Sequence, residues 1–271
     1  MQKLVIDGGV PLEGEISLHG AKNSALPILA AALLCDGETT LENCPRLTDV
    51  FAACRILTHL GGRCTIQEHT VTVQVRALRS DTIPEALMQE MRSSIIFLGA
   101  VLGRAGACHV SYPGGCELGP RPIDMHLEAL RQMGARFSVC GGQLDCTVPD
   151  GLHGAVIHLP FPSVGATENV LLAAVLAKGE TVLHNAAREP EICDLAAFLR
   201  KCGAKISGEG ESTIRIEGTE RLHGCVHAIM PDRIAGITYL GAAAITGGTL
   251  CLKGTDARPM ENMLPTLEQM G

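Results

Sequence analysis

One pattern, written four times at a step of about 70 residues, limits what this chain can fold into. An Ala/Leu-rich stretch runs into a glycine and then into a β-branched strand, as in residues 26–43 (LPILAAALLCDGETTLEN) and 170–185 (VLLAAVLAKGETVLHN). Residues 95–110 and 239–252 are weaker copies. The turn glycines Gly37, Gly106, Gly179 and Gly247 stand 69, 73 and 68 residues apart. A second landmark keeps the same step. Helical stretches end at Gly61, Gly134, Gly203 and Gly271, spaced 73, 69 and 68. Two independent landmarks in register are hard to produce by accident.

Before the second landmark, apolar residues recur at helical spacing, for example Leu195, Phe198 and Leu199. The glycine that follows suits the left-handed cap of a helix C-terminus. Short alternating strands come next, such as Thr213-Ile214-Arg215-Ile216-Glu217. The expected unit is therefore helix, strand, helix, strand pair. It is too long and too mixed for the usual 20–50-residue solenoid repeat. An α/β (α+β) domain is expected instead, with the repeats around an axis, helices inward and sheets outward. The fourth copy stops at Gly271, after its second helix and before its strand pair. The expectation is that further repeats belong downstream, or that the chain is a decayed paralogue.

With 271 residues, 46% of them hydrophobic, the chain has enough apolar matter for one large domain or two smaller ones. Aromatics make up 3% and glycine numbers 31, which points to helices packed on small side chains. The net charge is −7, and no basic cluster interleaves with aromatic residues. That argues against nucleic acid, which needs a dense positive face. Anionic small molecules held by a few placed arginines remain open. Twelve cysteines lack any C-x-x-C pair, the pattern of reduced thiols in a cytoplasmic protein. The apolar run 25–35 is shorter than the roughly 20 residues that span a bilayer. It also follows Asp7, Glu13 and Glu15 rather than a positive leader, so no signal peptide and no membrane span are expected.

Four stretches carry candidate chemistry. Gly20-Ala21-Lys22-Asn23-Ser24 stands directly before an apolar helix, where backbone N–H groups and a lysine favour an anion. It lacks the glycine spacing of a nucleotide-triphosphate loop, and a plain helix start with a solvated lysine is the competing reading. In Pro113-Gly114-Gly115-Cys116-Glu117-Leu118-Gly119-Pro120-Arg121-Pro122, a thiol sits mid-loop with Arg121 close by. Such a thiol can act as acid or nucleophile, although most of twelve cysteines must be inert. Arg92 and Arg121 have the forked geometry for phosphate or carboxylate, against a default of solvated surface. Ser163-Val164-Gly165-Ala166-Thr167 holds the same repeat position as the Lys22 stretch, with capping by Ser163 or Thr167 as the plain alternative. His223 and His227 (HGCVH) have a spacing seen in metal sites, but no third ligand is evident, so surface histidines are expected.

Taken in order, GAKNSALPILAA, MRSSI, PGGCELGPRPIDMH, FPSVGAT, NAAREPEI and PDRI resemble the family that transfers the enolpyruvyl group of phosphoenolpyruvate to UDP-N-acetylglucosamine. The cysteine loop is the most specific of these runs; a sister family acting on shikimate 3-phosphate shares the repeated fold without it. The resemblance implies two three-repeat lobes with the substrate cleft between them. Residues 22–230 would form one complete lobe, and 1–21 with 231–271 part of the other. It implies addition of the sugar 3-hydroxyl to C2 of phosphoenolpyruvate, a proton to C3, then loss of phosphate, with no cofactor and no metal. Cys116 would be the proton donor, able to form an adduct. Lys22, Arg92 and Arg121 would hold phosphate and carboxylate. Asn23, Arg121, Pro122, Ile123, Asp124, Met125, Ser163, Val164 and Gly165 would line the sugar-nucleotide site. Two departures stand out. The family's carboxylate base and further arginines fall beyond this chain. After PDRI the family carries an acidic residue and a Gly-Thr pair, where this chain reads Ala235-Gly236-Ile237-Thr238. A non-catalytic paralogue that binds the sugar nucleotide or a partner protein is the alternative.

Overall fold

The computed structural model describes residues 3–5, 7–111, 123–261 and 263–270. It divides into two compact units, Met1–Ala21 with Pro231–Gly271, and Lys22–Met230. The smaller unit opens with β1 (Glu13–Ser17), and the chain then enters the larger one.

Three repeats build the larger unit. The first is α1 (Lys22–Ala32), β2 (Cys35–Glu42), α2 (Thr48–His59), β3 (Arg63–Gln67) and β4 (Thr70–Val75). The second is β5 (Thr82–Ile83), α3 (Glu85–Glu90), a 3-10 turn Arg92–Ile96, α4 (Phe97–Ala105), β6 (Ala107–Ser111), α5 (Asp124–Gln132), β7 (Arg136–Cys140) and β8 (Gln143–Thr147). The third is β9 (Val156–His158), α6 (Val164–Ala174), β10 (Glu180–His184), α7 (Pro190–Lys201), β11 (Lys205–Ser207) and β12 (Thr213–Glu217), and the unit ends with β13 (Leu222–His223) and β14 (Val226–Ala228). Helix, strand, helix, strand pair thus recurs as the sequence repeats require. All seven described landmark glycines, from Gly37 to Gly247, adopt positive φ, a conformation open to glycine at little cost.

The periodicity missed one strand per repeat. β5 runs parallel to β6 and β9 parallel to β10. The matching strand of the first repeat comes from the far end of the unit: β13 and β14 both pair parallel with β2. The last segment therefore completes the first sheet and closes the unit on itself.

At the centre, α1, α4 and α6 pack on one another. α1 and α6 each bury nine of eleven residues, so no solvent face shows in their sequences, although α6 carries Thr167, Glu168 and Asn169 within its buried stretch. Small residues let the backbones approach. A Cβ at Gly99 on α4 would stand 2.4 Å from the Asn169 carbonyl oxygen on α6. The outer helices α2, α5 and α7 are amphipathic, and strands such as β4 alternate between buried and half-buried positions.

Asp194 on α7 ties the closure together. Its carboxylate accepts hydrogen bonds from the Ser24 hydroxyl at the start of α1, from His227 Nε2 on β14 at 2.9 Å, and from the Met230 N–H at 3.2 Å. His227 is therefore a buried residue, contrary to the surface position expected for the HGCVH stretch. His223 is exposed, as expected. The two histidines fall on different strands because the stretch itself forms β13 and β14.

In the smaller unit, β1 pairs parallel with β15 (Thr249–Lys253), in a register of Glu13 to Thr249 through Ser17 to Lys253. Before β15 runs α8 (Arg233–Thr246), whose first turn is capped by Asp232 accepting from the Ile234 and Ala235 amides at 2.9 and 3.0 Å. A 3-10 turn Arg258–Met260 and α9 (Leu264–Met270) follow. α8 resembles α1 and α6 in composition but buries only Gly236 and Ala243. Among the described residues, no helix is long and apolar enough to cross a membrane.

Candidate functional site

A cavity of about 540 Å³ opens in the larger unit where the first turns of α1 and α6 meet the turn at Arg92. Its size falls in the range of small-molecule sites, roughly 300–1,000 Å³. From α1 come Lys22, Asn23, Leu26 and Pro27, the i, i+3, i+4 face of one helix. Pro27 has no N–H, so the Asn23 carbonyl lacks the amide that a regular helix would offer it. Lys22 Nζ lies 3.2 Å from Asp49 Oδ2. With the two side chains 44% and 26% exposed, such a pair contributes about 1 kcal/mol or less, so an incoming anion can compete for the lysine. Arg92 lines the same cavity and makes no ion pair among the described residues.

The opposite wall is the start of α6. Ser163 is the N-cap, its hydroxyl accepting from the Ala166 N–H at 3.3 Å, while its carbonyl accepts from the Thr167 amide and hydroxyl. The plain capping role is therefore real. Among the described residues it leaves the Val164 and Gly165 amides without a hydrogen-bond partner outside the helix, at the cavity wall. Two cationic side chains and a helix N-terminus on one cavity make a site for an anion.

Gly165 has a second role. A Cβ there would lie 3.0 Å from the His126 ring. The state of that ring follows from its neighbours. Asn169 Oδ1 accepts from the Gly99 N–H at 2.7 Å, so the amide nitrogen is the donor, to the Ile95 carbonyl at 3.1 Å and to His126 Nδ1 at 2.8 Å. Nδ1 is therefore unprotonated and the proton sits on Nε2. Burial lowers the His126 pKa to about 4, so the ring is a neutral donor at ordinary pH.

Glu168 completes the wall, one helical turn beyond Val164 and Gly165. Only 3% exposed, its carboxyl is pushed well above the usual carboxylate range by burial and by the nearby charges of Glu191 and Glu189.

The cavity thus gathers Lys22, Asn23, Arg92, Ile123, Ser163, Val164 and Gly165 from the expected set. Asp124 and Met125 line a separate depression of about 410 Å³ between α5 and β9, with His158 and Pro160. Cys116, Arg121 and Pro122 lie outside the described residues. Sequence reasoning missed Asp49, His126 and Glu168. His126 stood inside a quoted motif without a role. Glu168 was legible as an acid in the apolar run VGATENVLLAA, at i+3 and i+4 from Gly165 and Val164. Among the described residues, no group of His, Cys, Asp or Glu has metal-site geometry.

A family model described as EPSP synthase (3-phosphoshikimate 1-carboxyvinyltransferase) matches residues 6–271. The UDP-N-acetylglucosamine 1-carboxyvinyltransferase of Nitratidesulfovibrio vulgaris (strain DP4) is 49% identical over all of this chain, which covers 64% of that relative. UDP-N-acetylglucosamine 1-carboxyvinyltransferase 1 of Symbiobacterium thermophilum is 46% identical over the whole chain and 62% of its own length. The chain thus spans a little under two thirds of these relatives. Among solved structures, the enolpyruvyl transferase NikO from Streptomyces tendae superposes with a TM-score of 0.84 at 24% identity, over 97% of this chain and 62% of that one. EPSP synthase from Acinetobacter baumannii gives 0.77 at 23% identity, over 97% and 61%.

Proposed function

The chain belongs to the EPSP synthase (3-phosphoshikimate 1-carboxyvinyltransferase) family, and from that premise we propose that it is part of an enzyme that transfers the enolpyruvyl group of phosphoenolpyruvate to the 3-hydroxyl of UDP-N-acetylglucosamine. The reaction is the first committed step of peptidoglycan synthesis and takes place in the cytoplasm. The relatives at 45–49% identity over the full chain carry that activity in their names, whereas the EPSP synthase structures are 21–23% identical. The observation that carries the proposal is the cavity that holds Lys22, Asn23, Arg92 and the Ser163 helix start together.

In this reading residues 22–230 are one lobe of the enzyme, and 1–21 with 231–271 belong to a second. Lys22 and Arg92, with Arg121, hold the phosphate and carboxylate of the substrates. Their fixed positive charge stabilises the oxocarbenium-like centre only indirectly, by keeping the reacting carbons aligned while the phosphate leaves. The amides of Val164 and Gly165, the Ser163 cap and Asn23 orient the sugar nucleotide with Ile123 beside them, while contacts from Pro122, Asp124 and Met125 rest on the resemblance alone. The Cys116 thiol delivers a proton to C3 while the sugar 3-hydroxyl bonds to C2 and gives its own proton to a base that, by the resemblance, lies beyond this chain. Phosphate then leaves C2 as C3 returns a proton to the Cys116 thiolate, which restores the double bond and forms the enol ether.

Phosphate release measured with both substrates, beside a Cys116→Ser control, tests the proposal. Release that disappears with Cys116→Ser is the expected result. Release that survives it removes Cys116 from the mechanism. No release by a chain that still binds UDP-N-acetylglucosamine confines the proposal to binding.

A further inference from the structure

α6 contains three consecutive polar residues in its buried stretch, Thr167, Glu168 and Asn169, and two of them are fully engaged in the fold. Thr167 donates from its hydroxyl to the Ser163 carbonyl and accepts from the Ala187 amide at 3.1 Å. Asn169 uses its carbonyl oxygen and its amide on Gly99, Ile95 and His126. Glu168, between them, is 3% exposed, lines the cavity, and has no side-chain hydrogen bond to another described residue. It faces the cavity that also holds Lys22 and Arg92. A carboxyl that lines a cavity and has no partner in the fold keeps its hydrogen-bonding capacity for a ligand.

We propose that Glu168 is a ligand-contacting residue of this cavity, its carboxyl O–H donating a hydrogen bond to an oxygen of the bound sugar nucleotide. The inference rests on the reading that UDP-N-acetylglucosamine occupies the cavity. A carboxylate there would set a third negative charge beside Glu189 and Glu191 at the start of α7, and would face an anionic ligand. The acid form removes that repulsion and adds a donor. The remaining charged or titratable groups on the cavity are Lys22 from α1, Asp49 from α2, Arg92 from the 3-10 turn and His126 from α5. His126 is already neutral above about pH 4.

The sign follows. The burial-raised carboxyl keeps its proton at lower pH and binds best there. As pH rises through its folded value it loses the donor and gains a charge, and affinity falls. Glutamine keeps a donor of nearly the same reach and never ionises.

Titration of UDP-N-acetylglucosamine into the wild-type chain, Glu168→Gln and Glu168→Ala, across the whole pH range in which thermal melts show each protein folded, tests this. The expected result is Glu168→Gln within about twofold of wild type at low pH and tighter than wild type at high pH. Glu168→Ala is expected to bind about tenfold more weakly at low pH, the equivalent of one hydrogen bond. Wild type and Glu168→Gln tracking each other across the range, or unchanged affinity in folded Glu168→Ala, would overturn the role of Glu168 and leave the site reading standing. No binding by any of the three overturns the site reading, and the inference with it.

Discussion

His126 shows how one cavity residue's chemistry is set by partners, Gly99 and Asn169, that do not line the cavity themselves. The Gly99 amide fixes the orientation of the Asn169 side chain, Asn169 fixes the tautomer of His126, and burial keeps the ring neutral. Its folded pKa of about 4 lies below the unfolded value of 6.5. Between those values the unfolded chain takes up a proton that the folded chain refuses. Stability is therefore whole above about pH 6.5 and declines as pH falls toward 4, by on the order of 3 kcal/mol. Denaturant titrations at pH 7 and pH 4.5 should show this loss in wild type and a smaller one in His126→Gln. Equal losses in the two proteins would mean that the ring is not held neutral. The His126 tautomer was not readable from the chain, because it depends on which face of α5 meets α6; Glu168 stood out as an acid in an apolar run, but its place on the cavity did not. Lys22, Arg92 and Ser163 were picked out by residue type, Lys22 and Ser163 at helix starts, and they do line one cavity.

At the scale of elements, the repeat landmarks predicted the long pieces well and the short ones not at all. α1, α4, α6 and the strands after them appear where glycine spacing put them. β5, β9, β13 and β14 are two or three residues long, too short for alternation to register. That is also why the HGCVH stretch read as surface, when pairing with β2 carries His227 inward to Asp194. The contact of α4 with α6 holds the cavity's frame, since it positions Asn169. Gly99→Ala would force a methyl to 2.4 Å from a backbone oxygen, which cannot move without displacing α6. We expect a loss of about 2–4 kcal/mol in unfolding free energy, together with weaker ligand binding. A thermal melt with Tm unchanged from wild type would show that the two helices are not in fixed contact.

Over the whole molecule, the larger unit closes its own three sheets, each with its parallel strand in place. The smaller unit carries α8, an Ala-rich helix of which only Gly236 and Ala243 are buried, whereas α1 and α6 each bury nine of eleven residues. The cavity and its cations lie entirely within the larger unit. On the proposed reading, ligand binding by this cavity should therefore be a property of the larger unit. The most direct measurement is calorimetric titration of UDP-N-acetylglucosamine into the purified chain, beside Lys22→Ala and Arg92→Ala. Saturable one-site binding, weakened about tenfold or more by each loss of a charged partner, is the predicted result. Heat of dilution alone, or binding indifferent to both substitutions, would contradict the assignment of this cavity.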